Sequence, residues 1–220
     1  FGSTFGNFNA ANAGGSNAIS QGTGGSTTTY GATDVVTFSA STANTVLAND
    51  DTAHSLENVD DTASTFTLTG TNKLTLDGNS SNYSLKGSSG ESLSIVMTGV
   101  GTGLILGDAS TGTVTITGSA STTVDVTAAD THTFTFNGSA ADLGGLEVSG
   151  TTTFSGAMGA TYGLATINVD NAKVGTFSEA VTAVTITLTG EAVFKKAVTA
   201  TSIALVAGEA TFKNTDAVTI

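Results

Sequence analysis

The sequence predicts an all-β protein folded as a parallel β-solenoid, or β-helix, with about 17–20 residues in each coil. Three observations predict it. A pattern of apolar, glycine and charged residues repeats at the C-terminal end with a nearly fixed offset. Short alternations of apolar and polar residues recur along most of the chain, and proline, which marks edges and corners in other β folds, is absent.

The clearest repeat lies within residues 140–220. The segment Ile-Thr-Leu at 186–188 returns as Ile-Ala-Leu at 203–205, an offset of 17. The segment Gly-Glu-Ala-Val-Phe-Lys at 190–195 returns as Gly-Glu-Ala-Thr-Phe-Lys at 208–213, an offset of 18. Two fainter copies lie upstream, at Ile167, Val169, Phe177 and Val181, and at Leu146, Val148, Phe154 and Met158. Because such short units bury little surface alone, they must stack on one another.

From Val36 onward, apolar positions recur every 8 to 12 residues. They are Val36/Phe38, Val46, Leu56, Phe66/Leu68, Leu74/Leu76, Tyr83/Leu85, Leu93/Ile95, Leu104/Leu106, Val114/Ile116, Val124/Val126, Phe134/Phe136 and Leu146/Val148. Most are apolar pairs separated by one polar residue, which predicts strands with one buried face. Glycine, asparagine and aspartate predict turns at 70–72, at 77–79 and at Asn137-Gly138. We expect two such strands in each coil.

An antiparallel β-sandwich is the alternative fold, since short strands at this spacing suit it too. The solenoid is favoured because the period persists for more than 100 residues and the C-terminal copies preserve side-chain identity. Parallel strands stacked about 4.8 Å apart would place each residue over its own counterpart.

Residues 1–30 show no period and are rich in glycine, asparagine and serine. They predict an N-terminal arm or cap, followed by a continuous solenoid over 31–220. The open end of a solenoid exposes apolar side chains and unpaired backbone groups. Phe1, Phe5 and Phe8 are therefore candidates for covering that end or for inserting into a neighbouring subunit.

The composition excludes several function classes. Six lysines, no arginine and eighteen acidic residues give a net charge of −12, which opposes binding to nucleic acid or to anionic lipid. No cysteine is present for disulfides or thiolate metal sites, and no apolar run is long enough to span a bilayer. No signal peptide is visible and the first residue is phenylalanine, so we expect the numbering to begin inside a processed chain.

No set of residues predicts catalysis, and we expect that the protein is not an enzyme. The two histidines, His54 and His132, are 78 residues apart. That separation is about four coils, or roughly 19 Å along a solenoid, too far to share a proton or a metal ion. Each histidine is expected at an exposed strand or turn position. A polysaccharide lyase would require a cationic group that a chain without arginine supplies poorly.

One acidic cluster is a candidate calcium site. The pairs Asp50-Asp51 and Asp60-Asp61 recur ten residues apart, and clustered carboxylates at turns suit Ca²⁺. A solvated acidic turn is the favoured interpretation, and a calcium site is the alternative. Apart from Ca²⁺, the sequence predicts no cofactor.

The repeat of Gly-Glu-Ala-x-Phe-Lys after Ile-x-Leu resembles the passenger repeats of bacterial autotransporters, and in particular the large rickettsial surface antigens. Proteins of bacterial S-layers look similar. The resemblance is best over 140–220 and implies a secreted or cell-surface protein involved in surface layers or in adhesion.

We therefore expect a non-catalytic extracellular structural protein, a subunit of a bacterial surface layer or filament that forms homo-oligomers or polymers. Self-assembly would use the solenoid ends or the N-terminal arm, with Val218 and Ile220 at the accepting edge. The alternative is an adhesin or passenger domain whose Thr/Ser-rich flat face binds a host receptor or a glycan. A polysaccharide-processing enzyme is a third hypothesis.

Overall fold

The structure is a computed structural model that describes residues 9–10, 17–21, 27–30, 35–38, 42–47, 51–53, 55–58, 64–78, 83–87, 92–213 and 216–220. It confirms the predicted fold class. These residues form strands and turns without a helix, and 92–213 contain about six turns of a parallel β-solenoid. The antiparallel sandwich is not supported.

The strands are short, most of them two to six residues long. In chain order they are β1 (Asn9–Ala10), β2 (Asn17–Gln21), β3 (Thr27–Tyr30), β4 (Val35–Phe38), β5 (Thr42–Leu47), β6 (Asp51–Ala53), β7 (Ser55–Asn58), β8 (Ser64–Gly70), β9 (Lys73–Leu76), β10 (Leu85–Lys86), β11 (Leu93–Met97), β12 (Gly103–Leu106), β13 (Ser110–Thr111), β14 (Val114–Gly118), β15 (Thr123–Val126), β16 (Thr131–His132), β17 (Thr135–Gly138), β18 (Gly145–Val148), β19 (Thr152–Phe154), β20 (Leu164–Val169), β21 (Val174–Phe177), β22 (Val181–Leu188), β23 (Glu191–Phe194), β24 (Val198–Leu205), β25 (Glu209–Phe212) and β26 (Val218–Thr219).

These strands form three faces, and most turns add one strand to every face. The first face contains β4, β7, β10 and β13, and is continued by β16, β19, β21, β23 and β25. The second face contains β5, β8, β11, β14 and β17. The third face contains β6, β9, β12, β15, β18 and β20. From Val181 onward, the long strands β22 and β24 run across the second and third faces without a break.

Every described pairing from β4 to β26 is parallel, whereas the first strands pair differently. Strand β1 pairs antiparallel with β4, and β2 pairs antiparallel with both β3 and β5. The ladders of the first and second faces thus change from parallel to antiparallel pairing at β1 and β2. Whether residues 1–30 act as an arm or a cap stays a prediction.

The register reproduces the repeat that the sequence predicts. Ile186 pairs with Ile203, and Phe194 pairs with Phe212, as the offsets of 17 and 18 require. The fainter copies also stack in order, since Leu146 pairs with Ile167 and Phe154 pairs with Phe177. Met158 forms an isolated parallel bridge with Val181, so the last residues of the two fainter copies are also in register.

The coils contain three strands where the sequence pattern suggested two. The difference arises on the first face, where some strands are short and point a polar residue inward, such as Ser110 in β13 and His132 in β16. Such strands lack the apolar pair on which the prediction depended. The coil length also varies: Ile186 and Ile203 are 17 residues apart, but Leu56 and its partner Leu85 are 29 apart.

The core is a set of side-chain columns that run along the solenoid axis. Alternate residues of each strand point inward, and most of these inward side chains have no exposed surface. The most regular column consists of aromatic rings on the first face. Phe154, Phe177, Phe194 and Phe212 stack with ring centroids 5.1, 5.2 and 5.3 Å apart. These offset contacts add to the hydrophobic gain of burying the rings.

Glycines allow the coils to approach closely at the corners. Gly190 donates its amide to Val169 O at 3.0 Å, and the following residue donates to Lys173 O. A Cβ at Gly190 would meet the backbone oxygens of Asp170 and Lys173 in the preceding coil. The next corner repeats this arrangement, because a Cβ at Gly208 would meet Gly190 O.

We therefore expect Gly190→Ala to lower the free energy of unfolding by about 1–3 kcal/mol, since a backbone carbonyl cannot rotate away as a side chain can. Thermal unfolding followed by circular dichroism measures the effect. Ala207→Ser, at an exposed position of the next corner, is the control and should change stability by less than about 0.5 kcal/mol. Equal stability of Gly190→Ala and the parent protein would contradict the close packing of this corner.

Candidate functional site

Most residues of the sequence-predicted sites lie outside the described residues. This holds for Asp50, Asp60 and Asp61 of the candidate calcium site, for Phe1, Phe5 and Phe8 of the N-terminal arm, and for His54. Asp51 begins β6, but its side chain is not described. The calcium site and the role of the phenylalanines therefore stay predictions.

The two C-terminal assembly residues, Val218 and Ile220, lie at the exposed end of the solenoid, where the column ends are uncovered. Phe212 is 39% exposed, whereas Phe194 one coil earlier is fully buried. Leu205 is 58% exposed and stacks on the fully buried Leu188. Among the described residues, β25 and β26 have a strand partner on one side only. This end therefore combines exposed apolar side chains with unpaired backbone groups.

A flat platform of polar side chains covers the outside of the second face. Its outward residues stack in register from β8 to β17. They are Thr65 and Thr67, Ser94 and Val96, Thr115 and Thr117, and Thr135 and Asn137. Parallel stacking repeats these positions about every 4.8 Å along the axis. The face is thus a regular array of hydroxyl and methyl groups.

The platform ends at a loop, residues 159–163, that follows the inward-facing Met158. This loop stands where the next strand of the second face would be. Three hydrogen bonds attach it to β17. Gly159 N donates to Phe136 O at 2.7 Å, Gly138 N donates to Tyr162 O at 3.2 Å, and Thr161 N donates to Asn137 Oδ1 at 2.9 Å. Tyr162 is 48% exposed. The loop therefore forms a wall at one end of the platform, with an aromatic side chain on it.

Platform and wall together enclose a groove of about 310 Å³. Its lining consists of Thr115, Thr117, Asn137, Gly138, Ser139, Thr161 and Tyr162. None of these side chains carries a formal charge, although the chain has a net charge of −12. The groove is thus an uncharged recess on an acidic protein.

Threonines of the groove differ from those at the corners in their hydrogen bonding. Corner hydroxyls bind carbonyls of the preceding coil: Thr127 Oγ1 donates to Leu106 O at 3.1 Å and Thr189 Oγ1 donates to Val169 O at 2.8 Å. The hydroxyls of Thr115 and Thr117 form no hydrogen bond with any other described residue. Corner threonines therefore hold the coils together, while those in the groove are available to a ligand.

Asn137 and Tyr162 are not among the site residues that the sequence predicts. The predicted turn at Asn137-Gly138 is wrong, since both residues belong to β17 and pair with Thr117 and Gly118. The strand continues because its backbone pairs with the preceding coil and the Asn137 side chain binds the wall loop. The available signal was the spacing: Asn137 follows Thr117 by 20 residues, one coil length.

The expectation that His132 is exposed is also wrong. Its side chain is fully buried in the first-face column, between Phe134 and Phe154, at ring centroid distances of 5.7 and 5.9 Å. Neither ring nitrogen has a hydrogen-bond partner in the described part of the chain. Burial lowers the pKa of His132 to about 4, because the apolar surroundings disfavour the charged form.

A row of acidic side chains crosses the third face. Asp125 and Glu147 are adjacent in register, and Asn168 donates through Nδ2 to Glu147 Oε2 at 3.1 Å. Burial raises the pKa of Glu147, and the carboxyl groups of Asp170 and Asp125 raise it further, whereas the Asn168 bond opposes this. Within the part of the chain that the structure describes, no three His, Cys, Asp or Glu side chains are grouped to hold a metal ion.

The fold defines the class: this chain is a parallel β-solenoid repeat protein. Comparison with known proteins finds no match, neither to a protein-family model nor to a curated protein nor to a solved structure. No helix in the described ranges is long and apolar enough to cross a membrane.

Proposed function

We propose that this chain is a non-catalytic structural subunit of a bacterial surface layer or filament, and that copies of it assemble end to end. The observation that carries the proposal is the uncovered last coil, where Phe212, Leu205 and Val218 are exposed although their counterparts one coil earlier are buried. The bacterial and extracellular setting is supported by the resemblance to autotransporter passenger and S-layer repeats.

The mechanism of assembly is strand addition. The exposed edges of β25 and β26 are templates for a further layer of strands, since the ladder beneath them is parallel and in register. A strand from the N-terminal region of another copy would pair with these edges and would cover the ring of Phe212. Hydrogen bonds would supply affinity, and burial of the apolar column ends would add to it.

The double variant Phe212→Lys with Val218→Lys is expected to raise the concentration needed for assembly by at least about tenfold, because two buried charges would have to be desolvated at the joint. Sedimentation velocity and negative-stain electron microscopy measure the effect. Val100→Lys is the matched control, since Val100 is 69% exposed at a corner away from this end. It should assemble as the parent does.

A parent chain that stays monomeric at high concentration would overturn the assembly proposal. Collapse of polymers in a calcium chelator would instead support a metal role for Asp50, Asp51, Asp60 and Asp61. The same micrographs therefore test both predictions.

A second candidate function is adhesion, with the chain acting as an adhesin or passenger domain that binds a host protein or a glycan. The flat polar platform on the second face favours it, because hydroxyl groups there are not used in holding the coils together. Adhesion requires saturable binding by the monomer, whereas end-to-end assembly does not.

A further inference from the structure

We infer that the groove between the platform and the wall loop is a binding site for a neutral glycan. The inference narrows the second candidate function, on which it rests, to one site and one class of ligand. It does not depend on end-to-end assembly, because the groove lies on the side of the solenoid rather than at its end.

The polar groups of the groove are fixed and unused. Thr115 and Thr117 are two residues apart on β14, so their hydroxyls point to the same side, about 6.6 Å apart along the strand. Asn137 accepts from Thr161 N through Oδ1, which settles the orientation of its amide and leaves the Nδ2 donor without a partner among the described residues. A ligand would thus find donors and acceptors that need no rearrangement.

Tyr162 supplies an apolar surface beside these polar groups. Tyr162 lines the groove and is 48% exposed, while its backbone oxygen accepts a hydrogen bond from Gly138 N. A tyrosine ring offers a rigid apolar face with a polar tip, at low cost in conformational entropy. Sugar rings present both apolar C–H faces and equatorial hydroxyls, so a ring stacked on Tyr162 would keep its hydroxyls near β14.

Charge and backbone pairing exclude other ligand classes. An anionic ligand would be repelled by a chain of net charge −12, and a cationic one would find no formal charge in the lining. A peptide that adds as a strand needs unpaired backbone groups. Here the backbone is engaged, since Gly159 N donates to Phe136 O at 2.7 Å and Thr161 N is bound by Asn137. The ligand class that fits the groove is therefore an uncharged polyhydroxylated chain, that is, a neutral glycan.

Tyrosine fluorescence and calorimetry test the inference on the full chain. The chain contains no tryptophan and three tyrosines, so tyrosine emission reports directly on ring contacts. The probes are neutral hexasaccharides of β-1,4-glucose, β-1,4-xylose, α-1,4-glucose, α-1,6-mannose and β-1,4-N-acetylglucosamine, with oligogalacturonate as the anionic control. We expect at least one neutral probe to bind with a Kd of roughly 1 mM or tighter and to change the emission.

Substitutions locate the site. Tyr162→Ala should weaken binding at least about tenfold by calorimetry, as expected for an aromatic anchor. Tyr162→Phe should retain binding within about threefold but lose the fluorescence change, and Thr117→Val should weaken binding while preserving shape. Tyr83→Ala is the matched control, since Tyr83 is 43% exposed outside the groove, and it should bind as the parent does.

The results distinguish glycan binding in the groove from adhesion through another surface. Absence of binding to every neutral probe, or preference for oligogalacturonate, would overturn the inference. Binding that Tyr162→Ala and Thr117→Val leave unchanged would also overturn it, although adhesion through another surface would then still stand. Binding lost in these variants but not in Tyr83→Ala would establish the groove as the site.

Discussion

Replacing Phe177 by alanine is expected to lower the free energy of unfolding by about 3–5 kcal/mol. The ring is almost completely buried and stacks on Phe154 at 5.1 Å and on Phe194 at 5.2 Å. Its removal would interrupt the column in the middle, because the rings above and below cannot close the gap without shifting whole coils. Urea unfolding followed by circular dichroism measures the loss.

Two further variants calibrate this result. Phe177→Leu keeps much of the volume and should cost less than the alanine variant, whereas Thr176→Ala, at the adjacent outward position, should be close to neutral. In a solenoid each coil contacts mainly its neighbours, so hydrogen exchange should accelerate most in β19, β21 and β23. A uniform acceleration along the chain, or a neutral alanine variant, would contradict the column as a local source of stability.

Acid is expected to destabilise the protein through His132 by about 3 kcal/mol between pH 6.5 and pH 4. The pKa of His132 is lowered to about 4 in the folded state from 6.5 in the unfolded state. The unfolded chain therefore binds a proton in this window and the folded chain does not. The contribution to stability is fully present above pH 6.5, and it is lost as the pH falls towards 4.

His132→Phe should remove this dependence and extend the aromatic column by one ring. It also eliminates two buried nitrogens that have no partner among the described residues, so stability should rise at every pH, and most below pH 5. Unfolding free energies of parent and variant, measured from pH 7.5 to 4, isolate the effect because the two proteins differ only at residue 132. Parallel pH profiles for the two proteins would show that His132 is not buried as a neutral group.

Most of the C-terminal fold can be predicted from the sequence, and three phenylalanines show why. Phe177, Phe194 and Phe212 preserve both identity and spacing, so their stacking follows from periodicity alone. Where the inward residue is polar, as Ser110 and His132 are, the alternation pattern has no apolar signal and does not predict the strand on that face.

The groove was harder to predict because it depends on an interruption. Thr115 and Thr117 belong to a visible Thr-x-Thr pattern, which predicts a flat polar face but not a groove on it. The wall arises only because residues 159–163 form a loop while the coils on either side keep their register. The spacing of apolar residues does not show where a coil has a loop in place of a strand. The sequence pattern therefore does not indicate a role for Tyr162.

The orientation of the coil-to-coil hydrogen bonds has a mechanical consequence. In a parallel stack these bonds run along the rod axis, so tension along that axis loads the outermost coil first and peels it before the next coil bears the force. Each released coil of 17–23 residues adds roughly 60–80 Å of extended chain. A rod of this kind lengthens stepwise under load and dissipates the applied work coil by coil, rather than unfolding as one unit.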